Sequence, residues 1–432
     1  MFRLLPPLAI LAAVAGCAYP GTPPALPPAN APAPLASPVA SAAKVPVTIM
    51  VSIDGFHPDY LDRGITPNLS RLAAEGVTGP MLPSFPTKTY PNHWTLVTGL
   101  RPDRHDITAN TIEDPARPGE IFTMATDDPA WWNAAAPVWV TAEKAGIRTA
   151  SMFWPGSVVG WGGVRSSDWP YTVIGGTRPT DWQAYTQQMP DTNRVRVVLD
   201  WMRRPAATRP RLVLTYFDIV DTYGHQYGPV SPQVNTAIAD VDRAIGELVA
   251  GLAAQAQPAN LIIVSDHGMA ATSSDRVIAL DQLMPATDAR IVEAGPYATF
   301  APLPGRDAAV AATLLKPHPH LTCWRKSEIP ARFHYGRSPR VPPFLCLAKD
   351  GWVTAKTSPT KPFSRGEHGY DNAAPEMRAL FIASGPAFAS GRRVEQFDNV
   401  SVAPLLRTLL DLPADPTLDG TDSPFRSVMK RP

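Results

Sequence analysis

Four short apolar runs recur along the chain, and each ends in residues of polar or turn-forming character. Val47–Ile53 leads into Asp54-Gly55, Leu212–Phe217 into Asp218 and Asp221, Leu261–Ser265 into Asp266-His267-Gly268, and Ala379–Ala383 into Ser384-Gly385-Pro386. Continuous runs of this length, rich in Val and Ile, predict central strands covered on both faces. Between them the spacing predicts helices over Pro67–Gly76 and over Val234–Ala254, where Ile238, Val241, Ile245, Leu248 and Leu252 recur at three- and four-residue steps. Alternating strands and helices imply an α/β fold with a mostly parallel central sheet, helices on both faces, and ligands at the carboxyl ends of the strands. Residues 285–365 break the alternation with clustered Pro, Arg and aromatic residues, and read as a small inserted subdomain within one domain spanning 46–430.

The N-terminus reads as an address rather than a fold. Arg3 precedes an apolar run from Leu4 to Val14 that is shorter than the roughly 20 residues a bilayer span requires, so residues 1–17 predict a signal peptide. Val14-Ala15-Gly16-Cys17 resembles a bacterial lipoprotein cleavage box, with Cys17 as the lipid-bearing residue; Ala18 after it favours the outer membrane. The expectation is a lipoprotein on the periplasmic face of a bacterial membrane, or a soluble periplasmic protein if cleavage is ordinary. Residues 18–45 hold eight of the chain's 50 prolines and a single charge, Lys44, which is the composition of an extended tether. In an oxidising compartment Cys323 and Cys346 are candidates for a disulfide, the alternative being two buried thiols. A net charge of +1 offers no basic excess for a nucleic-acid duplex.

Five stretches carry chemistry. Asp221-Thr-Tyr-Gly-His225 sets a carboxylate and an imidazole four residues apart in what reads as a glycine-containing turn. Asp266-His267 sets both types side by side at a strand end, and Asp54 supplies another carboxylate. His368 lies in Gly366-Glu-His-Gly-Tyr-Asp-Asn372, where glycines permit close backbone approach. Three Asp and three His form an oxygen and nitrogen donor set without thiolate, which suits zinc, and six ligands suit two ions. In Phe85-Pro-Thr-Lys-Thr89-Tyr-Pro-Asn-His93, Pro91 is placed to start a helix running towards Gly99, which sets Thr89 just before a helix N-terminus, where anions are favoured. A threonine hydroxyl is a weak nucleophile unless a metal or base activates it. Read singly, each of these residues is a helix cap or an ordinary loop histidine; together they converge on one end of one sheet. The remaining histidines (His57, His93, His105, His318, His320, His334) read as packing or hydrogen-bonding residues, and Asp218 as a weaker alternative ligand to Asp221.

Pro86-Thr-Lys-Thr-Tyr-Pro-Asn-His93, Trp154-Pro-Gly-Ser157, Asp266-His-Gly-Met269 and Gly366-Glu-His-Gly-Tyr-Asp-Asn372 resemble, in order, the motifs of the bacterial nucleotide pyrophosphatase/phosphodiesterase family of the alkaline phosphatase superfamily. The resemblance implies an alkaline-phosphatase-like sandwich, two zinc ions and a threonine nucleophile in the place of Thr89. It implies one zinc site from Asp221, His225 and His368, and another from Asp54, Asp266 and His267 that Thr89 also contacts. Asn110 matches the asparagine that joins a backbone N–H in holding a phosphate oxygen, and Tyr90 and Tyr185 match the pair that sandwiches a nucleobase. Between Ser157 and Arg178 the chain is longer than the family pattern and rich in Gly and Trp, which bears on the substrate pocket rather than the metals.

The expected activity is therefore hydrolysis of phosphodiester or pyrophosphate bonds of nucleotides or related small-molecule diesters. The same site could serve a phospholipid or choline-phosphate diesterase, a phosphomonoesterase or a phosphonate hydrolase. A sulfatase is disfavoured because the chain has no Cys-x-Pro-x-Arg segment. A non-catalytic surface binding protein would be expected to have lost ligands, and all six candidates and Thr89 are present.

Overall fold

Three of the four apolar runs become adjacent parallel strands because both of their faces find cover. The computed structural model describes residues 44–360 and 365–430; the predicted leader, Cys17 and the tether up to residue 43 lie outside them. Val47–Ile53 is central in an eight-stranded sheet, with Leu212–Phe217 parallel on one side and Ala259–Val264 parallel on the other. Thr149–Met152 and Asp181–Gln183 extend the sheet in the same direction beyond Leu212–Phe217. Alternate residues of each strand enter different cores. Ile49, Val51, Val213 and Ile263 pack with Leu69, Val195, Ile238 and Ile245 of the Pro67–Glu75, Asp191–Met202 and Pro232–Ala254 helices. Met50, Leu214 and Ile262 pack on the other side with Trp94, Trp139 and Leu405 of the Thr89–Thr98, Val138–Lys144 and Val402–Leu409 helices. The result is the expected helix–sheet–helix sandwich.

The fourth run departs from its neighbours. The strand is Phe381–Ser384, starting two residues later than its apolar run, and it pairs antiparallel with Ala259–Val264. The chain between His368 and Phe381 contains only a 3-10 turn, Pro375–Met377, and no helix to carry it back across the sheet. A strand entered from the site end must run the other way.

Within residues 285–365 four antiparallel strands, in the order Ala289–Glu293, Tyr297–Pro302, Phe344–Ala348 and Leu321–Arg325, form a separate sheet. It has its own core around Phe300, Val310, Leu314 and Phe344. Cys323 and Cys346 face each other across this sheet and are joined as a disulfide. The Gly/Trp-rich stretch forms a small antiparallel hairpin, Val164–Arg165 with Val173–Ile174.

Candidate functional site

Strand ends and two turns bring the predicted residues together. Asp54 follows the Val47–Ile53 strand, and Gly55, in the left-handed region at φ 68°, turns the chain sharply. A Cβ at Gly55 would lie 3.1 Å from Asp221, so glycine lets this turn close onto the helix that carries Asp221. That helix, Ile219–Tyr227, replaces the predicted turn, and four residues of helix put Asp221 and His225 on one face, with His225 Nε2 3.4 Å from Asp221 Oδ2. A Cβ at Gly366 would lie 2.3 Å from the Gly224 carbonyl, and this close approach delivers His368 to the same point, its Nε2 3.6 Å from Asp221 Oδ1. Asp266 and His267 follow the Ala259–Val264 strand, with His267 Nε2 2.9 Å from Asp266 Oδ2 and 3.5 Å from Asp54 Oδ1. Asp218 belongs to a different network, bonded to the buried Arg194 at 2.9 Å and to Gln187 at 3.2 Å, and takes no part in the cluster.

The polarity of these groups fits divalent cations. Each of the three imidazoles has its Nδ1 at a backbone carbonyl: His225 at Gly366 (2.8 Å), His267 at Gly268 (2.9 Å) and His368 at Thr87 (2.8 Å). A carbonyl only accepts, so each Nδ1 carries the proton and each Nε2 turns a lone pair towards carboxylate oxygens. Asp54 Oδ1, Asp221 Oδ1 and Asp266 Oδ2 have no hydrogen-bond partner despite their burial. Where an imidazole is unprotonated, its lone pair and the anionic oxygens repel unless a cation lies between them. Two overlapping donor groups result, Asp54 with Asp266 and His267, and Asp221 with His267 and His368. His225 stands beside the second, its ring centroid 5.0 Å from that of His368.

Without a cation these groups pull one another's proton affinities apart. Burial, then the charges of Asp266 and Asp221, pushes the Asp54 carboxyl well above the usual carboxylate range. Burial acts the same way on Asp266, but the imidazoles of His267 and His93 outweigh it and hold that carboxyl well below the range. Burial, then the neighbouring His267, pushes His368 well below the ordinary imidazole value. Asp54 and Asp266 are buried side by side, and a divalent cation bound there would offset the repulsion between them.

Thr89 stands at the floor of the site. Its helix is Thr89–Thr98, two residues longer at the start than the Pro91 start predicts, so Thr89 opens the first turn instead of preceding it. Pro91, in the same turn, sits where its missing N–H leaves nothing unsatisfied. Thr89 is buried, with Oγ1 3.5 Å from His267 Nε2. The Tyr90 N–H donates to Asn110 Oδ1 at 3.0 Å, so the two groups expected to hold a phosphate oxygen are adjacent, bonded to one another. From this floor a cleft of about 680 Å³ opens past Tyr90, Trp132 and Phe153 to Tyr185. Tyr185 is 49 % exposed and meets Phe153 and Tyr216 edge-on.

Two side chains of this site were not singled out by the sequence reading. Tyr216 donates its hydroxyl to Asp54 Oδ2 at 2.6 Å. His93, read as a packing or hydrogen-bonding histidine, is fully buried with Nδ1 2.8 Å from the Thr89 carbonyl and 3.4 Å from Asp266 Oδ2, and Nε2 2.8 Å from Ser52 Oγ. Its position four residues after Thr89 on one helix was the available signal.

Residues 48–371 match the family model of type I phosphodiesterase/nucleotide pyrophosphatase. The chain is 34% identical over 374 residues to human ectonucleotide pyrophosphatase/phosphodiesterase family member 5, covering 85% of this chain and 75% of that one. It is also 34% identical over 392 residues to a bis(5'-adenosyl)-triphosphatase of Xenopus laevis, covering 90% of this chain and 82% of the relative. The murine family member 5 structure superposes with a TM-score of 0.82 at 33% identity, over 89% of this chain and all of the other. The same murine protein has been solved as an inactive variant in complex with AMP. These relatives are eukaryotic, so the resemblance stands at the level of the whole family and not of a bacterial branch. The chain belongs to the type I phosphodiesterase/nucleotide pyrophosphatase family, metal-dependent hydrolases of phosphodiester and pyrophosphate bonds.

Proposed function

We propose that this chain hydrolyses nucleotide phosphodiesters or pyrophosphates with Thr89 as nucleophile and zinc at both donor groups. The observation that carries the reading is the position of the Thr89 hydroxyl, buried against His267, the imidazole shared by the two groups, at the closed end of an aromatic-walled cleft. Asp54, Asp266 and His267 would hold one ion and Asp221 and His368, joined by the neighbouring His225 in place of the shared His267, the other. When bound, these ions would supply Lewis acidity, lowering the pKa of a hydroxyl or water and offsetting negative charge at phosphorus.

The chain's own groups account for the remaining steps. Thr89 Oγ1 gives its proton to solvent and attacks phosphorus in line; the Thr89 O–P bond forms as the bond to the leaving oxygen breaks, and the leaving group departs as an anion that takes up a proton from solvent. Water then cleaves the phosphothreonine ester, releasing the phosphoryl product and returning a proton to Thr89. During both steps the Tyr90 N–H exchanges Asn110 Oδ1 for a non-bridging phosphate oxygen, and the Asn110 amide turns to donate its own N–H there. The AMP bound by the murine relative supports a nucleotide in the cleft. Tyr90 and Tyr185 both line that cleft, and the base is assigned to the slot between them. Of the longer Ser157–Arg178 segment, Ser157 and Val158 line the cleft.

Thr89→Ala tests the nucleophile. The variant is expected to lose at least about a thousandfold in turnover of p-nitrophenyl thymidine monophosphate, in line with removal of a covalent nucleophile, while still binding two zinc ions per chain. Turnover within tenfold of the parent would overturn the assignment.

A further inference from the structure

Asp54 has two oxygens, and the protein satisfies one. Oδ2 accepts the Tyr216 hydroxyl at 2.6 Å, whereas Oδ1 is buried without a hydrogen-bond partner, 3.5 Å from His267 Nε2. An aspartate carboxylate rotates about χ2 with nearly two-fold freedom, so its backbone alone does not decide which oxygen faces the donor group. One short hydrogen bond does. Tyr216 suits that task because it is itself held. Its strand is in register with the one that ends at Asp54, Ser52 lying opposite Tyr216 and Ile53 opposite Phe217. Its carbonyl accepts from Arg194 Nη1 at 2.8 Å. Its ring stands edge-on to His93 at 5.1 Å and to Tyr185 at 6.0 Å. The hydroxyl has Asp54 as its hydrogen-bond partner, so its polar chemistry is directed at that carboxylate.

We propose that Tyr216 is a positioning residue for the metal site: its hydroxyl fixes the Asp54 carboxylate with Oδ1 turned towards His267, so that the donor group is formed before a cation arrives. The inference rests on the zinc reading given above. Tyr216 acts from the wall of the substrate cleft, where its ring also backs Tyr185, so one side chain supports both a ligand and the slot assigned to the base. On the other side of the same group, Asp266 Oδ1 accepts the Gly55 N–H at 3.3 Å, so each of the two carboxylates has one oxygen held by a residue outside the donor set. Hydrogen-bond partners of metal ligands typically change affinity by about 10- to 100-fold when removed.

The test compares the full chain with Tyr216→Phe, which keeps the ring and deletes the hydroxyl. Both are stripped with a chelator and titrated with Zn²⁺ against a chromophoric competitor. The variant is expected to bind the ion at the Asp54 group about 10- to 100-fold less tightly than wild type does, and the other ion unchanged. Its kcat is expected to fall at limiting zinc and recover in excess zinc, with KM for p-nitrophenyl thymidine monophosphate unchanged because the ring remains. Asp54→Asn and the double variant complete a cycle: if Tyr216 acts through Asp54, the losses in zinc affinity do not add. A Tyr216→Phe chain that binds zinc within twofold of wild type, or losses that add in full, would overturn the proposal while leaving the zinc reading intact. Wild-type chain that takes up no zinc would overturn both.

Discussion

Replacing Tyr185 by Ala separates recognition of the base from chemistry at phosphorus. Stacking of a base on an aromatic side chain is worth about 1–3 kcal/mol by alanine substitution. Two features of this site favour the lower part of that range. Tyr90 remains as the opposite wall, and Tyr185 is 49 % exposed, so water already competes for one of its faces. The edge contacts of Tyr185 with Phe153 at 5.6 Å and Tyr216 at 6.0 Å are present with or without substrate and largely cancel from KM. About 1–2 kcal/mol then corresponds to a loss of roughly 5- to 30-fold in kcat/KM. The assay compares p-nitrophenyl thymidine monophosphate with methyl p-nitrophenyl phosphate at saturating zinc. The two share a leaving group and differ in whether a nucleoside is attached to the phosphorus. The nucleotide is expected to suffer the full loss, mostly through KM, and the methyl ester to change by less than about twofold, since Tyr185 is not among the donor residues. Equal losses on both would refute the stacking assignment and indicate that Tyr185 acts through Tyr216 on the site itself.

Two further outcomes follow from the donor-group geometry, and a third from the N-terminal sequence. Treatment with EDTA is expected to abolish turnover, and Zn²⁺ but not Mg²⁺ to restore it, because three imidazoles suit zinc and not a hard, oxygen-seeking ion. Zinc at a hundredfold excess over Kd should add about 2.7 kcal/mol of folding stability for each ion bound, read as a rise in melting temperature; a melt indifferent to zinc would contradict the donor-group reading. Export as a lipoprotein predicts incorporation of labelled palmitate at Cys17 in a bacterial host, abolished by Cys17→Ser; no incorporation in the parent would point to ordinary signal cleavage.

What the sequence disclosed and what it withheld have the same physical origin. Val47–Ile53, Leu212–Phe217 and Leu261–Val264 are legible because a strand buried on both faces must be apolar throughout, and the first charge after such a run marks where the sheet ends. Asp54, Asp221 and Asp266 all stand just past such points, so the donor set could be gathered without knowing how the strands are ordered. The Asp221–His225 spacing survived even though the local structure is a helix and not a turn, because a four-residue offset brings side chains together in either. Strand direction is different: the apolar content of Phe381–Ser384 carries no arrow, and its reversal follows from the short path after His368. Helix starts are similarly blurred, since Pro91 is compatible with any position of the first turn.

Tyr216 and His93 escaped notice for a deeper reason. A tyrosine inside an apolar run and a histidine inside a helix are adequately explained by packing, and that account is usually sufficient. What distinguishes them is the partner each meets from a distant part of the chain: Asp54 lies 162 residues from Tyr216, and Ser52 lies 41 from His93. Donor residues announce themselves by type, because few side chains can bind a metal. The groups that aim those donors can be almost any hydrogen-bonding residue, so only three-dimensional proximity identifies them. Three carboxylates and three imidazoles crowded at one end of the sheet therefore make a centre legible in sequence, whereas the orientation of Asp54, with one oxygen held by Tyr216 and the other without a hydrogen-bond partner, belongs to the fold.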